Sequence, residues 1–309
     1  IYNDTDTVNC MKKDATEPSK SAVTALQGVA QIGDKYYSSL KAAVGAVSDS
    51  ATIKLLSDTT ESITIAAGKD ITLDLNGYTL TNTENAHTIT NNGSIKINDS
   101  SKNKTGKVEN KYFTVAKDTT TNESYNNYKK AVLFNAGGAT AELNGGTFER
   151  TEEHTYYTIK NLGTMVINDG VTVKQLNEKS SAVANGCQNK SEYTGSEVKL
   201  TINGGTFVQG LITIKNDECG VLEINGGSFK NIKGNYTVFN WNKAVINKGT
   251  FEANYVVGNG KYNKNAIGDL DINGGTFNGI ICPDQASPGY TPYPSEDISI
   301  SGGTFSEDV

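Results

Sequence analysis

Leu200-Thr201-Ile202-Asn203-Gly204-Gly205-Thr206-Phe207 is a stretch that the chain rewrites along most of its length. Close copies stand at Ala141–Phe148 (AELNGGTF), Leu222–Phe229 (LEINGGSF), Ala244–Phe251 (AVINKGTF), Leu270–Phe277 (LDINGGTF) and Ile298–Phe305 (ISISGGTF). Weaker ones lie at Leu73–Leu80 (LDLNGYTL), Ile95 to Asn98 (IKIN) and Met165–Thr172 (MVINDGVT). With the asparagine as marker, the copies fall at Asn76, Asn98, Asn144, Asn168, Asn203, Asn225, Asn247 and Asn273, with Ser301 closing the series. The gaps are 22, 46, 24, 35, 22, 22, 26 and 28 residues, so each unit is 22 residues or 22 plus an insertion. A recurring period of this size marks a repeat architecture and is read before any local signal.

Before each marker, apolar residues alternate with variable ones, as in Leu200/Ile202, Leu222/Ile224 and Leu270/Ile272 around Thr201, Glu223 and Asp271. Period two with one apolar face predicts a half-buried strand. The Gly-Gly that follows supplies the backbone freedom for a turn. A second strand ending in asparagine precedes most markers, at 87–91, 132–135, 157–161, 182–185, 212–216, 237–240 and 256–259. Two or three short strands per 22 residues, repeated on every pass, predict an all-β fold, a right-handed parallel β-helix in which each strand pairs with its equivalent about 4.8 Å away in the next coil. Like residues then stack: Phe207, Phe229, Phe251, Phe277 and Phe305 as an internal column, and the asparagines as amide ladders.

The NGGTF repeat, preceded by IGDKYYSSLKAAVGAV, TIKLLSD and ITLDLNGYTL, resembles the pectin-lyase-like β-helix segments of large surface proteins from gut Gram-positive bacteria. The resemblance covers roughly residues 30–309. It implies a secreted, surface-exposed module and names no chemistry. The chain is expected to be part of a longer protein, since in such proteins the last coil runs on into another segment.

Three regions are expected: a polar leader or edge segment over 1–20, a strand-helix cap over 21–60, and the β-helix over 61–309. Gln31–Tyr37 reads as a strand, and Ser38–Val47 as a helix with a serine N-cap and an apolar stripe at Leu40, Ala43, Val44 and Val47. Such a helix would cover the end of the coil, where a stack otherwise exposes apolar side chains and unpaired edges. The net charge of −6 and pI near 5.1 argue against nucleic acid as a partner, and no apolar run is long enough to span a membrane.

Polar insertions occur at 112–130, 188–197, 261–266 and 283–296, the last three leaving the coil at one corner. Tyr193, Trp241, Tyr262, Tyr290 and Tyr293 are the candidate ligand-binding residues on that edge, where exposed aromatic rings would stack on a glycan or another cell-surface ligand. The alternative for these rings is loop packing. The expected function is an extracellular structural or adhesive module, with a polysaccharide lyase or glycoside hydrolase as the alternative. For that alternative, Glu142, Glu223 and Asp271 are the outward acids, Glu223 and Asp271 being two coils and roughly 9–10 Å apart. Arg150, the single arginine, reads as a loop residue, and His87 and His154 stand apart from any cluster. No catalytic residues, metal site or cofactor are assigned, although turn acids such as Asp99 and Asp169 leave room for an adventitious calcium ion. Of the four cysteines, Cys187 and Cys219 follow equivalent asparagines in consecutive coils and are the candidate disulfide, separate thiols being the alternative. Cys282 reads as buried.

Overall fold

The computed structural model describes residues 28–112, 130–150, 156–176, 180–187, 197–260, 268–282 and 298–306. Over these residues the alternation of apolar and variable positions becomes three columns of short parallel strands wound into a parallel β-helix. The first column belongs to a twelve-stranded sheet. It runs from Ser50–Leu55 through Asp70–Asp74, Ser94–Asn98, Thr140–Leu143, Thr164–Ile167, Val198–Ile202, Gly220–Ile224, Lys243–Ile246 and Asp269–Ile272 to Ile298–Ile300. The second holds the strands after the glycines, such as Gly146–Arg150, Val171–Gln175 and Thr206–Gln209. The third holds the strands that end in asparagine, such as Ile89–Asn91, Leu133–Asn135, Ile159–Asn161, Val183–Asn185 and Ile212–Asn216. In the later coils the second and third columns fuse into the long strands Ser228–Asn240, Thr250–Asn259 and Thr276–Cys282, with register shifts at the corner.

Register keeps like residues in line. Leu200, Leu222, Ala244, Leu270 and Ile298 are successive partners in the first column. In the second, Phe207, Phe229, Phe251, Phe277 and Phe305 stack with centroids 4.7–5.1 Å apart and planes within 9° of parallel. Towards the N-terminus the same position passes through Val173, Phe148, Val108 and Leu80. The aromatic stack begins at Phe207 because Val173 separates it from Phe148. These inward residues are fully or almost fully buried and form one continuous core, with Ile298 and Phe305 packing half-buried at its end.

The N-terminal end is closed by a hairpin and a helix. Ala30–Ile32 and Lys35–Tyr37 pair antiparallel where one strand was expected, turning at Gly33 with φ +54°. Helix α1 (Leu40–Ala46) is capped by Ser39, whose hydroxyl accepts from the Ala42 N–H at 3.0 Å, and Glu61 accepts from the Leu40 and Lys41 N–H groups at 2.9 Å. Its buried Leu40, Ala43 and Val44 join the main core. Ser50–Leu55 already belongs to the first coil, pairing in parallel with Asp70–Asp74.

Candidate functional site

Two asparagine ladders run the length of the coil. In the outer one, each amide nitrogen donates to the asparagine of the preceding coil, from Asn273 through Asn247, Asn225, Asn203, Asn168 and Asn144 to Asn98, at 2.7–3.1 Å. Ser301 joins the C-terminal end by donating to Asn273 at 2.9 Å. Asn76 does not take part: it sits at φ +49° and donates to the Leu55 carbonyl of the coil before. In the inner ladder the direction reverses, Asn91 donating to Asn135, then Asn161, Asn185, Asn216, Asn240 and Asn259, at 2.7–2.8 Å. The second amide hydrogen reaches a backbone carbonyl, as from Asn161 to Lys199 and from Asn185 to Val221 at 3.0 Å. That second bond fixes which way each buried amide points.

Beside the inner ladder lies the densest group of reactive side chains among the described residues. Lys160, Ala184 and Lys215 are successive partners in the third column. The small Ala184 leaves space for both lysines to turn towards Asp217, which follows Asn216. Asp217 Oδ1 lies 2.9 Å from Lys215 Nζ and Oδ2 lies 3.7 Å from Lys160 Nζ, all three side chains being largely buried. Lys160 also donates to the Gly186 carbonyl. Lys215 Nζ sits 5.2 Å from the Trp241 ring centroid and 5.9 Å from that of Tyr157, and Lys160 Nζ lies 5.2 Å from Tyr157. Burial, ahead of the attraction of Asp217, pulls the Lys160 ammonium below the ordinary lysine range. For Lys215 burial is outweighed by Asp217 and Tyr157, and its pKa is raised.

The cysteine pair adjoins this group. Cys187 Sγ and Cys219 Sγ are 2.7 Å apart with no disulfide between them, and the Cys187 N–H donates to Cys219 Sγ at 2.9 Å. The approach needs Gly186, which has φ +92°; a Cβ there would stand 2.7 Å from the Gly220 nitrogen. Spacing within the repeat brings these two residues together as expected. The repeated Ile-Lys-Asn triplet at 159–161 and 214–216, with Asp217 directly after the second copy, is the sequence signal for the lysine–aspartate group.

The aromatic edge fares differently. Trp241 is 5% exposed and packs on Phe239 with centroids 4.2 Å apart, within a small cluster that includes Ile212 and Tyr236. It cannot offer an open ring face, and its expected role is corrected accordingly. Phe239 lies flat because its neighbour in the next coil is Gly258, where a Cβ would come within 2.5 Å of the ring. Tyr193, Tyr262, Tyr290 and Tyr293 lie outside the described residues, as do His154, Cys10 and the Cys282 side chain.

Arg150 is not a loop residue but the last residue of a strand, 1% exposed. Its guanidinium donates to the carbonyls of Tyr112, at 2.8 Å, and Lys130. It therefore ties together the two ends of the chain's longest insertion. His87 stacks on Phe134 at 4.7 Å, and its Nδ1 accepts from the Ala131 N–H at 2.8 Å. Burial first, and then the Lys130 and Arg150 cations, lower its pKa to about 4.

The outward acids are spread out and paired with bases. Glu142 is 3.0 Å from Lys96 and Glu223 is 3.5 Å from Lys199. Val166 and Thr201 separate Glu142 from Glu223, which puts them about 14 Å apart at the coil spacing. Val245 separates Glu223 from Asp271 as expected. The Asp99 oxygens accept from the backbone N–H groups of Gly77, Ser101 and Gly106 at 2.7–3.1 Å. These oxygens serve donors and lock a turn. Among the described residues, no three His, Cys, Asp or Glu side chains form a metal-holding group, and no helix is long and apolar enough to cross a membrane.

A surface hollow of about 560 Å³ lies where the long strands turn their corner. It is lined by Ile232, Glu252, Asn254, Tyr255, Asn278 and Ile280 among others, with Ile232 56% and Ile280 45% exposed. Comparison of the chain with family models, with curated proteins and with solved structures gives no match in any of the three.

Proposed function

We propose that the chain is an extracellular structural and adhesive module of a bacterial surface protein, a stiff coil that holds insertions along its flanks and binds glycan on its side. The observation that carries this reading is the inner ladder from Asn91 to Asn259, which joins seven coils through buried amides. A shift of one coil against the next would leave donors and acceptors unpaired out of reach of water, which opposes bending. Rigidity of this kind suits a spacer or display scaffold, since binding groups commonly sit on loops held by a rigid frame. The insertions 188–196, 261–267 and 283–297 all connect the third column to the first, so their flanking residues recur at one corner of the coil.

The hollow at the other corner supports the glycan element. The carboxamides of Asn254 and Asn278 and the carboxylate of Glu252 match sugar hydroxyls, while Tyr255, Ile232 and Ile280 match an apolar sugar face. The carbohydrate-active enzyme alternative requires acids that converge across a scissile bond. Glu142 and Glu223 are instead held apart by Val166 and Thr201 and each is paired with a lysine on a solvated face.

Surface labelling of intact producing cells with an antibody to this chain, together with a glycan array, tests the reading. Labelling is expected, as is array binding that falls at least tenfold in Tyr255→Ala/Asn278→Ala. Unchanged binding in the double variant removes the hollow from the proposal. Unlabelled cells, or polysaccharide cleavage abolished by Glu223→Gln, would overturn the module reading itself.

A further inference from the structure

We infer that Cys187 and Cys219 form a thiol–disulfide couple that staples one corner of the coil, with Cys219 as the attacking thiolate and an exogenous low-molecular-weight disulfide as oxidant. The sulfurs already stand 2.7 Å apart, so closing the bond requires a movement of only about 0.7 Å. Cys219 Sγ accepts the Cys187 N–H at 2.9 Å, which stabilises a thiolate on Cys219, and it lies in contact with the Cys187 sulfur. Both residues are half-buried, within reach of a small oxidant.

The charged surroundings act on both sulfurs alike, Lys160 lowering and Asp217 raising the pKa of each, so the asymmetry comes from the bonds between the two cysteines. Lys160 donates to the carbonyl of Gly186, which fixes the residue before Cys187 and places an ammonium beside the pair. The bond from Cys187 comes first in lowering the Cys219 pKa, burial opposes it, and the Cys187 N–H and Lys160 add to the lowering. The same sulfur–sulfur bond, with burial, raises Cys187 well above the ordinary thiol range. One sulfur is thus set up to attack and the other to resolve.

In the reaction, the Cys219 thiolate attacks one sulfur of the donor disulfide, and the donor's other half leaves as a thiolate. Cys187 then gives up its proton and attacks Cys219 Sγ, expelling the second donor thiolate. Two cysteine thiols become one disulfide, the donor disulfide becomes two thiols, and the protons pass to the departing thiolates. The bond ties the residue at which segment 188–196 leaves the coil to the turn at 217–220.

The full chain, equilibrated with glutathione at defined oxidised-to-reduced ratios, alkylated and mapped by non-reducing peptide mass spectrometry, tests this. A cross-linked Cys187–Cys219 peptide, lighter by two hydrogens than the paired thiols, is expected, with Tm raised by about 5 °C. In a second arm, Cys187→Ser is expected to trap glutathione on Cys219 at least tenfold faster than Cys219→Ser traps it on Cys187. Absence of the cross-linked peptide at every ratio overturns the couple. Equal trapping rates in the two variants overturn the assignment of Cys219 as attacker.

Discussion

The two asparagine ladders use the same side chain at the same spacing, yet they stand in different solvents. The outer ladder, from Asn98 to Asn273, lies at the surface, where Asn203, Asn247 and Asn273 are exposed and Asn225 is half-buried. The inner ladder is buried throughout, from Asn91 to Asn259. Water can replace a lost partner in the first and cannot in the second. A repeated hydrogen bond therefore contributes little or much according to what would replace it, and its length says nothing about which.

Four experiments put that contrast at risk. Asn161→Ala should show the largest effect, because Asn135, Gly163, Asn185 and Lys199 all lose a buried partner. A loss of about 4 kcal/mol is expected in urea denaturation. Arg150→Leu extends the test to a buried polar group outside the ladder. It strands the Tyr112 and Lys130 carbonyls, and a loss of about 3 kcal/mol is expected, with faster protease cleavage between residues 112 and 130.

Acid tests the same principle without a mutation. The folded pKa of His87 is about 4 against an ordinary 6.5, so between these values the unfolded chain binds the extra proton. The contribution of neutral His87 is complete above about pH 6.5 and is lost as the pH falls towards 4, up to about 3 kcal/mol for this half-buried ring. Protonation also removes the acceptor for the Ala131 N–H. Denaturation at pH 7.5 and pH 4.5 should show this loss, with a smaller pH dependence in His87→Gln. Asn225→Ala should show the smallest effect, below about 1 kcal/mol, since its bonds to Asn203 and Asn247 are exposed and water can replace them. If Asn225→Ala costs as much as Asn161→Ala, solvent is not what separates the ladders.

Much of the body was legible because stacking converts a spacing into a neighbour. The phenylalanine column, both ladders and the meeting of Cys187 with Cys219 follow from equal positions in successive turns, and the Ser39 cap from a local helix-start signal. Trp241 was misread for a related reason. A corner residue on a solenoid is expected to face water, but the flat Phe239 ring, made possible by Gly258, gives the indole an apolar bed. Arg150 was misread because its carbonyl partners, at Tyr112 and Lys130, lie in no repeated position.

The repeat, its period, the inward faces and therefore the parallel coil are all written in the residue order, because alternation and stacking are local rules applied many times. Packing in three dimensions settles which ladder is dry, which way each amide points, and how Lys160 and Lys215 close around the Asp217 carboxylate. Those outcomes depend on exclusion of water and on side chains reaching across coils, and neither is encoded at any single position of the repeat.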